Sequence, residues 1–355
     1  MIDKHDLAEQ IQEKVRAAAA AATPLHIQGG NTKAFYGRET TGDVLDVSGH
    51  RGIVSYEPTE LVITARAGTV LTEVEAILAE HGQMLAFEPP HFGEGTTLGG
   101  AVAAGLSGPS RPYVGAARDF VLGVACVNGR GERLSFGGQV MKNVAGYDVS
   151  RLMTGAMGTL GVLLEISLKV LPIRPAEMTL ALPMDTDKAI ETMSSWAAQP
   201  LPISGACYDG ETLRVRLAGS GNGVQSAREK IGGDEDKDGK RYWIQLRDQG
   251  LPFFSDSGAL WRVSVPAAAP KLALPGRTLL DWGGAQRWLL AAAAPEGVRE
   301  AAMEMAGHAV LFRGGDRTGE VFHPLAPPLA IVHRRLKDAF DPKGIFNPGR
   351  IYKEL

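Results

Sequence analysis

An α+β fold in two parts is the prediction, and three observations carry it. The chain has 355 residues, a length that suggests more than one average domain. In GVLLEISLKVLP, the side chains Val162, Leu164, Ile166, Leu168 and Val170 share one face and Glu165, Ser167 and Lys169 the other, the period of a half-buried strand. Pro172 and Pro175 then interrupt the pattern, and from about residue 176 strand-like and helix-like segments intermix.

The elements follow in order. In MIDKHDLAEQIQEKVRAAAAAAT, Leu7, Ile11 and Val15 recur every four residues, which predicts a helix laid on a core. PLHIQGGNTKAFYG reads as a short strand entering a glycine-containing loop, and VLDVSGHRGIVSYEPTELVITARAG as short strands between turns. TEVEAILAEHG predicts a helix with capping-box spacing between Thr72 and Glu75 and a stop at Gly82. DFVLGVACVNGRGERLSF predicts a hairpin turning at Asn128-Gly129. Beyond the prolines, MTLALPM and TLRVRLAGS read as strands and DKAIETMSSWAAQ and VQSAREKIGG as helices. GGDEDKDGKR reads as a solvated charged loop, PAAAPKLALPG as a surface connection, and the last segment as one amphipathic helix with a Pro/Gly-rich tail.

Bulk properties exclude several classes. Apolar residues make up 44% and charged ones 22%, an ordinary globular balance. A formal net charge of -3 supplies no field to hold nucleic acid or an acidic membrane. No run approaches the length of a membrane span, and the charged start lacks the apolar centre of a signal peptide. The cytoplasm is the expected address, with peripheral attachment to the inner membrane through partners left open. Cys126 and Cys207 stand apart from any paired spacing and read as reduced core thiols.

Three glycine-rich stretches carry the chemistry. Gln28-Gly29-Gly30-Asn31-Thr32-Lys33 follows a strand, where successive backbone N–H groups can form an anion-binding concavity. EPPHFGEGTTLGGAVAAGLSG supplies the hydroxyls of Thr96 and Thr97, and its Gly99, Gly100, Ala101, Ala103, Ala104 and Gly105 strip a wall of bulk. VMKNVAGYDVSRLMTGAMGTLG is the third. A plain turn and close element packing are the competing readings. No stretch matches GxxxxGK[ST], and the nearest approach to GxGxxG, Gly219-Ser220-Gly221-Asn222-Gly223, reads as a turn between strand and helix.

Together, the order and wording of these stretches resemble the FAD-binding domain of the vanillyl-alcohol oxidase and p-cresol methylhydroxylase superfamily, over about residues 20 to 172 and again at the tail. EPPHFGEGTTLGGAVAAGLSGPSRPYVGAARDFVLG, GGQVMKNVAGYDVSRLM and DPKGIFNPGRIY are similar to the family of FAD-binding subunits of bacterial glycolate oxidase, also called glycolate dehydrogenase. The resemblance implies a two-part PCMH-type FAD-binding domain at 1–174, completed by a segment at 330–355, with a smaller α+β cap at 175–329. It implies FAD held by Gln28, Gly29, Gly30, Asn31, Thr32 and Lys33, by Pro90, Gly95, Thr96, Thr97, Gly99 and Gly100, by Ser107 and Gly108, and by Gly158, Gly161 and Val162. Lys142, Asn143 and Tyr147 either touch the flavin or hold the last loop together. The implied partners are a related flavoprotein chain and an iron–sulfur protein, and the implied substrate is a small 2-hydroxy acid oxidised without nicotinamide.

Two departures shape the expectation. Many superfamily members attach FAD covalently through a histidine of the first loop; Asn31 and Thr32 stand there, after His26, so noncovalent FAD is expected. Related 2-hydroxy-acid dehydrogenases carry a His-x-Gly-Asp-Gly-Asn-x-His metal and substrate segment. LFRGGDRTGEVFHP keeps Gly315-Asp316 and His323 but no histidine pair, so no metal is expected and His308, His323 and His333 read as ordinary histidines. Arg350 and Arg313 remain as candidate carboxylate binders and His91 as a candidate base beside the flavin, each against a plain surface role. Self-sufficient turnover and a flavin-bearing structural role beside a catalytic sister both stay open.

Overall fold

The computed structural model describes residues 5–138 and 147–355. An amino-terminal helix, Ala8–Ala21, buries Ile11 and Val15, while Leu7 sits at its N-cap. It packs over a five-stranded antiparallel sheet whose spatial order is Ile53–Glu57, Val62–Arg66, Val162–Lys169, Val121–Val127, Arg133–Gly137. The central strand holds Val162, Leu164, Ile166 and Leu168 out of solvent, with Glu165, Ser167 and Lys169 half-buried. That is the alternation its sequence requires. A separate parallel pair, Leu25–Gln28 with Asp43–Asp46, is extended by a bridge from Leu25 to Phe346 near the chain's end.

Local readings fail where a tertiary partner intervenes. The helix Leu71–Glu80 begins one residue before Thr72, so no capping box forms, and Glu75 instead pairs with His91 at 3.1 Å. The hairpin is present, but a five-residue loop closes it. Asn128 Oδ1 accepts from the amides of Arg130 and Glu132, and Gly131 rather than Gly129 takes the positive φ. The charged stretch 232–241 is not simply a solvated loop. Asp234–Glu235 forms an edge strand on Ala176–Pro183, and Gly239 opens the helix Gly239–Arg247.

Residues 176–313 build an eight-stranded antiparallel sheet, in the order Asp234–Glu235, Ala176–Pro183, Thr212–Gly219, Ile203–Tyr208, Arg277–Asp281, Gln286–Leu290, Leu260–Ser264, His308–Arg313. Polar fasteners join it to the first part. Arg216 meets Glu88 at 2.8 Å, Trp282 Nε1 donates to the Gly108 carbonyl at 3.0 Å, and Arg262 donates to Tyr36 Oη at 3.0 Å. Apolar packing crosses the same seam, where Tyr36, Leu106 and Met157 share one core with Trp261, Trp288 and Phe312.

The closing helix, Pro327–Phe340, buries one residue, Lys337. Its ammonium spends three N–H bonds, on the Thr159 carbonyl at 2.9 Å, the Phe346 carbonyl at 2.8 Å and Asp341 Oδ2 at 2.7 Å, which saturates its donors. Asp341 in turn accepts from the amides of Ile345 and Phe346. The group ties the tail to the third glycine-rich stretch. Removing one member of such a buried pair strands the other charge. We predict that Lys337→Met lowers the stability of the chain by about 3–5 kcal/mol, read from urea unfolding. A change below about 1 kcal/mol would place the pair among weak surface bridges.

Candidate functional site

The strand Leu25–Gln28 delivers the chain into the first glycine loop. Gln28 C=O accepts from Val47 N at 2.9 Å and Asn31 C=O from Ala34 N at 3.3 Å. A trans peptide points its N–H opposite its carbonyl, so these bonds aim the Gly29 and Thr32 amides the other way. Asn31 adopts the left-handed conformation, φ 54°, which tightens the loop into a concavity of the kind that gathers amides. Among the described residues, the amides of Gly29, Gly30, Asn31, Thr32 and Lys33 find no acceptor.

These residues line a groove with about 850 Å³ of atom-free space, part of it open to solvent. Its far wall is Thr97, Gly99, Gly100, Ala103 and Ala104, and its floor includes Met157, Gly158, Gly161 and Leu163. The small residues keep that wall flat. Tyr36, Val47, Asn347 and Arg350 also line the groove, with His26 and Ala67. A groove of this size with a few convergent polar groups suits a cofactor.

Lys33 brings the charge. Its ammonium donates to the His91 carbonyl at 3.4 Å and lies 5.6 Å from the Phe92 ring centre. Burial pushes its pKa down to about 8, against a smaller upward pull from Asp248. Arg350 braces the loop: its guanidinium donates to the carbonyls of Arg38 at 3.0 Å, Ala34 at 3.1 Å and Lys33 at 3.3 Å. Burial and then the charge of Arg317 lower its pKa to about 10. Asn347 joins two of the loops with one side chain, accepting from Ile27 N and donating to the Met157 carbonyl, each at 2.8 Å.

The expected residues divide. Gln28, Gly29, Gly30, Asn31, Thr32, Lys33, Thr97, Gly99, Gly100, Gly158 and Gly161 come together on the groove. Gly95 and Thr96 do not. Thr96 Oγ1 is turned to Thr32 Oγ1 at 2.8 Å and to the His91 carbonyl, fastening the first two loops to each other. Val162 is a fully buried strand residue. Pro90, Ser107 and Gly108 line a second, smaller cavity. Lys142 and Asn143 lie outside the described residues, and Tyr147, 95% exposed, does not reach the groove.

The candidate substrate groups move as well. Arg350 spends its guanidinium on the main chain, and Arg313 donates to the Phe254 carbonyl at 2.8 Å. His91 is bound to Glu75 away from the groove, so it is neither an exposed loop residue nor a base on that lining. His308 and His323 have ring centres 6.2 Å apart, and His333 rests against Tyr352. Among the described residues, no group of three or more His, Cys, Asp or Glu could hold a metal ion. Asn347, Tyr36 and Val47 were not legible as site residues. The single available signal for the tail was the FNPGRIY wording around Arg350.

Comparison with known proteins agrees with this geometry. The FAD binding domain family matches residues 6–137, and the family described as FAD linked oxidases, C-terminal domain, matches residues 324–351. Glycolate oxidase subunit GlcE of Escherichia coli K12 is 52% identical over 355 residues, covering 100% of both chains. Glycolate oxidase subunit GlcD of Bacillus subtilis is 32% identical over 166 residues, 46% of this chain and 35% of its own length. A D-lactate dehydrogenase of Archaeoglobus fulgidus is 27% identical over 58% of this chain and 46% of its own. Among solved structures, an alkyldihydroxyacetonephosphate synthase superposes with a TM-score of 0.66 over 96% of this chain and 74% of that one, at 16% identity, which speaks for the fold alone.

Lys33 gives the site a pH signature. In the free chain its ammonium loses its proton as pH rises through about 8, whereas a bound diphosphate favours the charged form, so binding above that value must recapture a proton. We predict that FAD affinity, followed by quenching of flavin fluorescence, falls as pH rises above about 8. Lys33→Met should bind more weakly at pH 7 and lose this slope; an unchanged slope in the variant would remove Lys33 from the cofactor's surroundings.

Proposed function

The chain belongs to the glycolate oxidase subunit GlcE family of FAD-linked flavoproteins, and on that premise we propose that it is the FAD-binding subunit of a glycolate oxidase complex. The run of five amides from Gly29 to Lys33, none of which finds an acceptor among the described residues, carries this reading. An FAD diphosphate needs donors that a turn normally spends on itself, and here they are unspent on a groove large enough for a dinucleotide. The residues present therefore fit the cofactor.

When bound, FAD supplies the two-electron acceptor for oxidation of glycolate to glyoxylate, within an assembly that passes electrons on through an iron–sulfur subunit. This chain's residues supply binding and orientation. The amides of Gly29 to Lys33 hold the diphosphate, and the Lys33 ammonium offsets its charge. Gly99, Gly100, Ala103 and Ala104 offer a flat wall. Arg350 and Asn347, also on the groove lining, fix the loop through its main chain. Residues 1–174 with 330–355 act as the cofactor-holding part and 175–329 as the cap. The partners are a related flavoprotein subunit and the iron–sulfur subunit. No helix among the described residues is long and apolar enough to cross a membrane, and a cytoplasmic position, with attachment at the inner membrane through those partners, suits this role.

Attachment of FAD is noncovalent in this reading. His26 is on the groove, but its Nδ1 is engaged with Thr40 Oγ1 at 2.6 Å, and burial followed by the charge of Arg350 lowers its pKa. Two outcomes test the proposal. Acid precipitation should leave the yellow colour in the supernatant; colour retained on the pellet would show a covalent bond. The chain co-expressed with its two partners should reduce a dye with glycolate, whereas steady turnover by the purified chain alone would replace the subunit reading with a self-sufficient dehydrogenase.

A further inference from the structure

A second, small cavity lies on the seam between the loop around residues 90–109 and the eight-stranded sheet, with about 320 Å³ of atom-free space, part of it open to solvent. Gln249 faces it, 8% exposed and at φ 56°, and neither Oε1 nor Nε2 has a partner. Trp288 also faces it, 6% exposed, with Nε1 unpartnered. A buried amide that makes no hydrogen bond is strongly disfavoured, and each such atom calls for an explanation. Here an unpaired indole N–H and an unpaired amide belong to two residues that line the same small space.

The cavity also carries a cation. Arg262 lines it, and its guanidinium donates to Tyr36 Oη but pairs with no carboxylate among the described residues. Its charge helps to lower the pKa of Arg111 and of His308, after burial in each case. Opposite in character is Asp281, also on the lining, which accepts from Trp282 N at 2.7 Å and Gln286 Nε2 at 3.1 Å. Ser107 completes the polar set: its Oγ accepts from Ala117 N, which leaves its own proton to give.

We infer that this cavity is a binding site for a small 2-hydroxy carboxylate, with Arg262 and Trp288 Nε1 holding the carboxylate and Gln249 reading the hydroxyl. The cavity is far too small for a dinucleotide, and any ligand it takes must be small. Its position relative to the groove suits a substrate. Tyr36 lines the groove and holds Arg262, and Phe92 lines the cavity and lies against Lys33 of the groove. The carboxylate binder sought in the tail is thus supplied by the middle of the strand Leu260–Ser264. This inference rests on the reading of the chain as a glycolate oxidase subunit and adds the residues that would recognise its substrate class.

Calorimetry with the full-length, flavin-loaded chain tests it, with glycolate and acetate as probes and flavin content read separately from visible absorbance. Glycolate should bind more tightly than acetate. Gln249→Leu removes no existing hydrogen bond, so the fold should survive, while glycolate binding weakens by at least about tenfold and its advantage over acetate disappears. Arg262→Met should weaken both carboxylates. Retention of wild-type glycolate binding in Gln249→Leu, or no glycolate binding by a wild-type chain that does carry flavin, would overturn the inference. A chain that carries no flavin would instead defeat the cofactor reading, and glycolate binding sensitive to Gln249→Leu in that chain would still support the cavity assignment.

Discussion

The first glycine loop keeps its shape because the end of the chain grips it. The strand Leu25–Gln28 is bridged by Phe346, Leu25 N donates to Ile345 O at 2.7 Å, and Asn347 N returns the bond to Leu25 O at 3.0 Å. Arg350 then takes the carbonyls of Lys33, Ala34 and Arg38, and Arg317 approaches the same loop through Ala34 and Gly37. A loop whose five amides find no acceptor among the described residues has little internal reason to hold one conformation. Carbonyl capture from outside supplies that reason and leaves the N–H groups available. A pre-shaped concavity loses less ordering entropy when a ligand arrives than one that must be assembled around it.

The glycines serve this arrangement differently from what the sequence suggests. A cluster of glycines reads as room for a ligand, but the closest neighbours of several are protein. A Cβ on Gly30 would overlap the Gly95 carbonyl, and one on Gly29 would meet Thr97 Oγ1. On Gly99 it would fall 2.7 Å from the Cβ of Ala67, and on Gly105 2.8 Å from Gly155 Cα. The loops interlock, main chain against main chain. The groove's flatness follows from that interlock, because the same absent side chains that let the loops meet also leave the wall bare.

Legibility followed the range of the deciding interaction. The strand Val162–Lys169 was plain because its alternation is local and one face is wholly buried. The turn at Ser220 was plain for a like reason: its side chain caps the next helix by accepting from Gly223 N. The capping box at Thr72 failed because Glu75 found His91, 16 residues away. The stretch 232–241 was obscured by its charge, which hid an edge strand and a helix start whose partners are residues 179–181. Asn347 and Arg350 act on residues more than 300 positions earlier, and no periodicity or spacing encodes such a contact.

The seam between the two sheets differs from the cores on either side in how its polar groups are treated. In the first part Lys337, Asp341 and Asn347 bond to several groups each, while His50 leaves Nε2 unpaired. Arg38 and, in the second part, Arg299 leave only Nε unpaired while a terminal nitrogen is engaged. Gln249 is, among the described residues, the side chain that leaves both of its polar atoms unpaired in the interior. A leucine there would avoid a desolvation penalty of about 1–3 kcal/mol per unpaired group. Arg262 lines the same cavity, and among the described residues its guanidinium pairs with no carboxylate. Packing alone gives no reason for either choice, since apolar groups of similar volume would fill the same space at lower free energy. Their coincidence on one cavity, adjoining the groove through Tyr36 and Phe92, is what a recognition site for a small anion with one hydroxyl requires.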